Sequence, residues 1–218
     1  MTTAALSTGT RPADPKYPRT RVLWVAGGAH ALHDGFTDTL YLLLPILQAE
    51  FALSYAAVGV LRALYAGAMA GLQVPAAKLA PRIGGARMLA AGTAVAAAAY
   101  LALGASSSCA LVVVALILGG VGSSTQHPIA SGLVADAYHG RHSRSALGTY
   151  NFAGDLGKMA LPSITAGLIA VMAWRSAASV VGMIGLLGAV AIMLSLWRLP
   201  TGASNAPTPH LRAAKPAS

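Results

Sequence analysis

Six stretches of mainly apolar residues, separated by short clusters of arginine and lysine, constrain this chain more than any motif in it. A helix needs about 20 such residues to cross the hydrocarbon core of a bilayer. The stretches run over 22–47, 55–77, 88–105, 110–135, 146–173 and 176–199. Glycine and proline interrupt most of them, which membrane helices tolerate better than soluble ones. Charged residues are only 10% of the 218 positions, with 56% hydrophobic. A soluble domain carries about 25% charged residues. The sequence therefore predicts an all-α membrane protein with six transmembrane helices over 22–199. A polar N-terminal tail, 1–21, precedes them, and a disordered tail, 200–218, rich in Pro, Ala, Ser and Thr, follows. The N-terminal tail has no apolar core and does not resemble a cleaved signal peptide.

The cations orient the spans. Arg11, Lys16, Arg19 and Arg21 precede the first span; Lys78, Arg82 and Arg87 lie between the second and third; Arg141 and Arg144 lie between the fourth and fifth; Arg198, Arg212 and Lys215 follow the sixth. Twelve of the fifteen cations thus fall on one side, and Glu50 and Arg175 on the other. The positive-inside rule makes both termini cytoplasmic. The same distribution argues against nucleic acid as a partner despite the net charge of +9, because the basic residues form short clusters between apolar runs. The single cysteine, Cys109, excludes an internal disulfide and any cysteine-based metal site.

Five charges remain inside the spans: Asp34, Asp38, Arg62, Asp155 and Lys158. Each costs about 2.5–3.5 kcal/mol at a helix centre, so together they cost on the order of 10 kcal/mol unless they face protein or water. At 100° per residue, His30, His33, Asp34, Thr37 and Tyr41 share one sector of the first span, with Asp38 at its edge. Arg62, Tyr65, Met69 and Gln73 follow one line on the second span. Ser124, His127 and Ser131 share a face of the fourth, and Asn151, Asp155, Lys158, Pro162 and Thr165 a face of the fifth. The third and sixth spans carry no ionisable residue in their cores. The expected arrangement puts the first, second, fourth and fifth spans around an aqueous cavity, with the third and sixth outside against lipid.

Each stripe has a plainer reading. Asp155 and Lys158 are i, i+3 neighbours and suit a structural ion pair. Arg62 suits a lipid headgroup or an aspartate of the first span. A lone intramembrane histidine such as His127 suits packing. The coincidence of four stripes favours a functional cavity.

The sequence resembles the N-terminal half of a major facilitator superfamily transporter, in the group related to the bacterial fosmidomycin-resistance exporters. The residues that carry the resemblance are His30-x-x-x-Asp34, Pro45 and Leu47-Gln-Ala-Glu50-Phe51-x-Leu53-Ser54 of the first span and its exit. Gly120-x-Gly122-Ser-Ser-x-x-His127-Pro128 in the fourth span is also similar. Gly154-x-x-Gly157 followed by Pro162 is similar to the family's antiporter motif. The family's Gly-x-Leu-Ala-Asp-Arg-x-Gly loop is represented by Ala77-Lys-Leu-Ala-Pro81-Arg82-Ile-Gly84, with Arg87 after it. Here Ala77 replaces the first glycine and Pro81 the acid. Ile129 stands where an acid often follows the His-Pro pair, and Asp155 and Lys158 stand where the related exporters usually have uncharged residues. Those last changes suggest a different substrate or coupling scheme.

The resemblance implies twelve helices in two six-helix halves with the binding site between them. This chain supplies one half, and its Met1 and polar tail resemble a complete small protein. The expectation is a half-size secondary transporter in the bacterial inner membrane that pairs with a second six-helix half. A separately encoded partner is favoured over a homodimer. Asp34 is the first choice for proton coupling, with His30 or His33 modulating it and Asp38 or Asp155 as alternatives. Arg62, Lys158 and His127, with Tyr41, Tyr65, Asn151 and Gln73, are the candidate lining for a small, anionic or antibiotic-like substrate. A non-transporting membrane scaffold is the second reading. No Walker loop, Ser-His-Asp set or HExxH pattern indicates ATP-driven transport or an enzyme. No cofactor is expected. Asp136, His139 and His142 read as solvated loop residues, so no metal site is expected either.

Overall fold

The structure, a computed structural model, describes residues 19–196, which fold entirely into helices joined by short turns. In chain order these are α1 (Arg19–Glu50), α2 (Tyr55–Ile83), α3 (Gly85–Gly104), α4 (Cys109–Ser123), α5 (Gln126–Ala137), α6 (Arg141–Val171) and α7 (Trp174–Leu196). Arg19 to Arg21, expected in the N-terminal tail, form the exposed first turn of α1. The rest of that tail and the C-terminal tail lie outside the described residues. Four stretches are long and apolar enough to cross a membrane: α2, α3, α4 with α5 taken together, and α7. α1 and α6 are as long, at 32 and 31 residues, but carry the aspartates and Lys158.

Two local expectations are corrected. The fourth span is not one helix. Ser124 Oγ donates to the Val121 carbonyl at 2.7 Å and Thr125 Oγ1 to the Gly122 carbonyl at 3.1 Å. Pro128 has no N–H to offer the Ser124 carbonyl. The ladder breaks there, and α5 restarts at Gln126. The loop between the second and third spans is also nearly absent. Lys78 and Arg82 lie on α2, Arg87 lies in the first turn of α3, and Gly84 alone connects them. Its φ of 97° is accessible to glycine and strained for other residues.

Glycines set the distances between helices. A Cβ on Gly157 of α6 would lie 2.0 Å from the Ala31 carbonyl oxygen of α1. One on Gly120 of α4 would lie 2.4 Å from the Tyr65 carbonyl oxygen of α2, and one on Gly122 would lie 2.4 Å from the Ala96 nitrogen of α3. Small residues thus let backbones touch, as expected where lipid supplies no hydrophobic drive between helices.

The buried apolar residues form two clusters. One holds Phe36, Leu40, Leu43, Tyr100, Val112 and Leu161. The other, at the end bearing the α1 N-terminus, holds Ala26, Leu89, Ile129, Val134, Ala146 and Ile192. α1 passes from one cluster to the other through His30, His33 and Asp34, all buried. A polar belt therefore crosses the unit between two apolar cores. α7 presents Met183, Leu187, Val190 and Leu194 outward, as expected of a lipid-facing helix. α3 does not match the same expectation: Leu89, Ala90, Ala97, Tyr100 and Leu103 are buried, because its alanines let α4 and α7 close over it.

At the other end, Glu50 joins three connections. It accepts from Trp174 Nε1 at 3.0 Å and Arg175 at 2.8 Å, and Arg175 Nε also donates to the Ser106 carbonyl at 3.0 Å. The Trp174 bond, then the Arg175 bond, hold the Glu50 carboxyl below its usual 4.5. A carboxylate depressed by folding contributes stability above its unfolded value, and that contribution is lost as pH falls through the folded value. Thermal stability in detergent is therefore expected to fall below about pH 4.5. Glu50→Gln should flatten that acid limb; an unchanged limb would assign it to other carboxylates.

Candidate functional site

The belt is built by α1, α5 and α6. Helical spacing places His30 and Asp34 one turn apart on the same face of α1, with His33 beside them. α6 comes within reach because Gly154 has no side chain: a Cβ there would lie 2.5 Å from His30 Nε2 and 2.7 Å from Asp34 Oδ2. Asp34, whose side chain is 8% exposed, lies 3.6 Å from His30 Nε2, 3.9 Å from His33 Nε2 and 3.3 Å from Lys158 Nζ. Lys158 also lies 3.1 Å from Asp155 Oδ1. It thus bridges two acids on two helices, which the i, i+3 spacing alone does not reveal.

His127 reaches the same cluster from the first turn of α5. Its ring stands edge-on to His30 at 5.3 Å and to His33 at 4.8 Å between centroids. Tyr150 of α6 stacks on His30 at 4.2 Å. Of the expected proton-coupling set, Asp34, His30 and His33 meet directly. Asp155 joins through Lys158. Asp38 is partly exposed and forms no ion pair among the described residues.

The expected substrate lining divides. Lys158 and His127 reach the cluster, Lys158 half exposed and His127 partly so. Among the described residues, Arg62 does not pair with an aspartate. It donates to Tyr41 Oη at 3.0 Å and lies over the Tyr41 and Tyr65 rings at 4.9 and 5.5 Å. Its Nε and one terminal nitrogen are buried without a partner. Tyr41 is exposed beside it. Gln73 is partly exposed about three turns further along α2, and Asn151 is exposed on α6. Of the antiporter-like motif of the fifth span, Gly154 and Gly157 are helix contacts and Pro162 lies within α6, one turn past Lys158.

Tyr65 is corrected from lining to brace, being only 2% exposed. Its hydroxyl lies 3.0 Å from Thr37 Oγ1 and 2.9 Å from Ser123 Oγ. Thr37 already donates to the His33 carbonyl at 3.1 Å. The consistent direction is therefore Ser123 to Tyr65 to Thr37 to the α1 backbone, which ties α4 and α2 to the turn holding His33. Tyr65→Phe breaks two of these bonds. It should cost about 1–3 kcal/mol, read as a lower melting temperature in detergent; an unchanged melt would remove the brace.

Gln126 and Tyr150 escaped the sequence reading, and Ser123 enters it only within the fourth-span motif. With His33 and Thr93, Ser123 and Gln126 line a small cavity beside the cluster. Tyr150 belongs to a line with Ala146, Gly154, Gly157, Leu161 and Thr165 that is buried against the bundle. That line adjoins the polar stripe, and the 3.6-residue period was the available signal.

An all-helical bundle with a charged belt at the level where its apolar core is interrupted has the form of a membrane transport unit. The sequence model of the Major Facilitator Superfamily matches residues 26–217, and the chain belongs to that superfamily. It is accordingly a multi-pass membrane protein of a family whose members are transporters rather than enzymes. No curated protein matches the chain.

Proposed function

We propose that the chain is a half-size secondary active transporter of the fosmidomycin-resistance type. In this reading six spans cross the bacterial inner membrane with both termini in the cytoplasm. α1, α2, α3, α6 and α7 each form one span, and α4 with α5 form the broken fourth. A second six-helix unit completes the carrier. A separately encoded partner suits an asymmetric substrate better than a second copy. Supporting the need for a partner, α2 buries little beyond Leu61, Tyr65 and Ala76. α6 likewise leaves Phe152, Leu156 and Met159 exposed beside Asp155 and Lys158.

The carrying observation is the contact between buried Asp34 and half-exposed Lys158, 3.3 Å apart on different helices. A proton on Asp34 releases Lys158 from one of its two acids. The freed ammonium then attracts a small organic anion, with Arg62 as the second cation. Proton occupancy and anion binding are thereby linked, and rocking of two units alternates access to the site.

The test uses proteoliposomes holding the chain with its partner half and an imposed proton gradient. Gradient-driven flux of an anionic solute is expected. Lys158→Ala should weaken that solute's apparent affinity roughly tenfold or more while sparing neutral solutes. Equal loss for both would reduce Lys158 to a structural partner of Asp155.

A further inference from the structure

Three imidazoles and one carboxylate converge in the belt, more donors than proton coupling through Asp34 needs. One ligand atom each from His33, Asp34 and His127 lie within 4.8 Å of one another. His33 and Asp34 are buried and adjacent on α1. His127 opens α5, immediately after the break in the fourth span. Two further observations point to a ligand here. His30 Nδ1 is buried and has no hydrogen-bond partner among the described residues, on a residue only 5% exposed. His33 also borders the cavity lined by Thr93, Ser123 and Gln126.

We propose that His33, Asp34 and His127 bind a first-row divalent transition-metal ion of the zinc class, with His30 as the nearest additional imidazole. Zinc bonds of about 2.0–2.2 Å to nitrogen and oxygen place tetrahedral donors roughly 3.4 Å apart. The three donors must therefore close by at most about 1.4 Å, within reach of side-chain rotation because His127 is partly exposed. Two imidazoles and one carboxylate suit zinc, cobalt or nickel; calcium and magnesium select all-oxygen sets. Three protein ligands leave a fourth position open to water or another ligand, unlike the closed four-ligand sets of structural zinc. His127, on the accessible side, gives the route in.

Lys158 makes the site conditional. Its ammonium lies 3.3 Å from Asp34 Oδ2, whereas His33 faces Oδ1 at 3.9 Å. The ion and the ammonium approach opposite oxygens of one carboxylate and repel each other. Metal binding therefore drives Lys158 toward Asp155, and Lys158 lowers metal affinity. The inference shares its residues with the transport reading but does not depend on flux, because binding is measured at equilibrium.

The test is zinc titration against a chromogenic chelator, using the full chain purified in detergent. His139→Ala and His142→Ala are combined as a background to remove loop imidazoles. One zinc per chain is expected, with no competition from magnesium, and cobalt should give a tetrahedral ligand-field spectrum. His33→Ala and His127→Ala should each weaken zinc more than about 100-fold. Lys158→Met should tighten it about tenfold, opposite in sign to its effect on an anionic solute. Zinc binding that survives loss of both His33 and His127, or none in the background chain, overturns the site. A readout on the unmutated chain guards against misfolded variants: zinc should shield His127 from acylation by diethylpyrocarbonate, read by mass spectrometry. Equal modification with and without zinc also overturns it.

Discussion

Asp34→Asn is expected to leave a folded bundle whose solute flux no longer responds to a proton gradient. Asparagine matches the carboxylate in size and hydrogen-bonding reach, so the contacts around Gly154 are preserved. It carries no charge and accepts no proton at working pH, so the linkage between protonation and Lys158 disappears. The structural cost is small. Lys158 is 44% exposed and keeps Asp155 at 3.1 Å, and exposed pairs contribute only about 0–1 kcal/mol. Gradient-driven flux in proteoliposomes should fall to that of protein-free vesicles while the melting temperature stays near that of the parent. Unchanged pH-dependent flux would remove Asp34 from the coupling step and leave Asp38 or Asp155 as the carrier.

Gly157→Leu is expected to prevent accumulation of a folded unit. A Cβ at this position meets the Ala31 carbonyl oxygen at 2.0 Å and the Ala31 carbonyl carbon and Cα at 2.5 Å. All three are backbone or Cα atoms of a helix, so no rotamer change relieves the clash. α1 and α6 must move apart, which also separates Asp34 from Lys158. Overpacking typically costs about 1–3 kcal/mol, and more when backbone must shift. Size-exclusion chromatography in detergent should show aggregate in place of a monodisperse peak. Gly148→Leu, with open space around it, is the matched control on the same helix. A monodisperse, thermally normal Gly157→Leu protein would show that the two helices are not fixed by this contact.

Much of the belt was legible because helical periodicity is a local rule. The sector holding His30, His33 and Asp34 follows from their spacing, and their burial agrees with it. The break in the fourth span was harder to read. Ser124 and Thr125 are compatible with an unbroken apolar helix until their hydroxyls are seen bonding back onto carbonyls one turn earlier. The place of His127 depends on that break. Tyr65 misled because periodicity identifies a stripe without saying whether it faces water or another helix; Ser123, 58 positions away in sequence, decides it. Spacing puts Lys158 on one face with Asp155, but its second acid, Asp34, comes from α1 and no local pattern reports that. Gly120 and Gly122 belong to the family-like motif of the fourth span, and the backbone contacts they permit with α2 and α3 are tertiary facts that the motif alone does not report.

α2 is secured differently from the other helices. It is pinned near mid-length by Tyr65 and by the approach of Gly120, and it ends on the single residue Gly84. Most of the rest of its surface is free of the unit. A rod held along one narrow line, through Leu61, Tyr65 and Ala76, and jointed at its ends can tilt as a unit. Small displacements at Ser123 or Thr37, beside the histidines, are passed through Tyr65 to the exposed face of α2. The helix least held by its own bundle is therefore the one best placed to report the state of the belt to whatever lies against it.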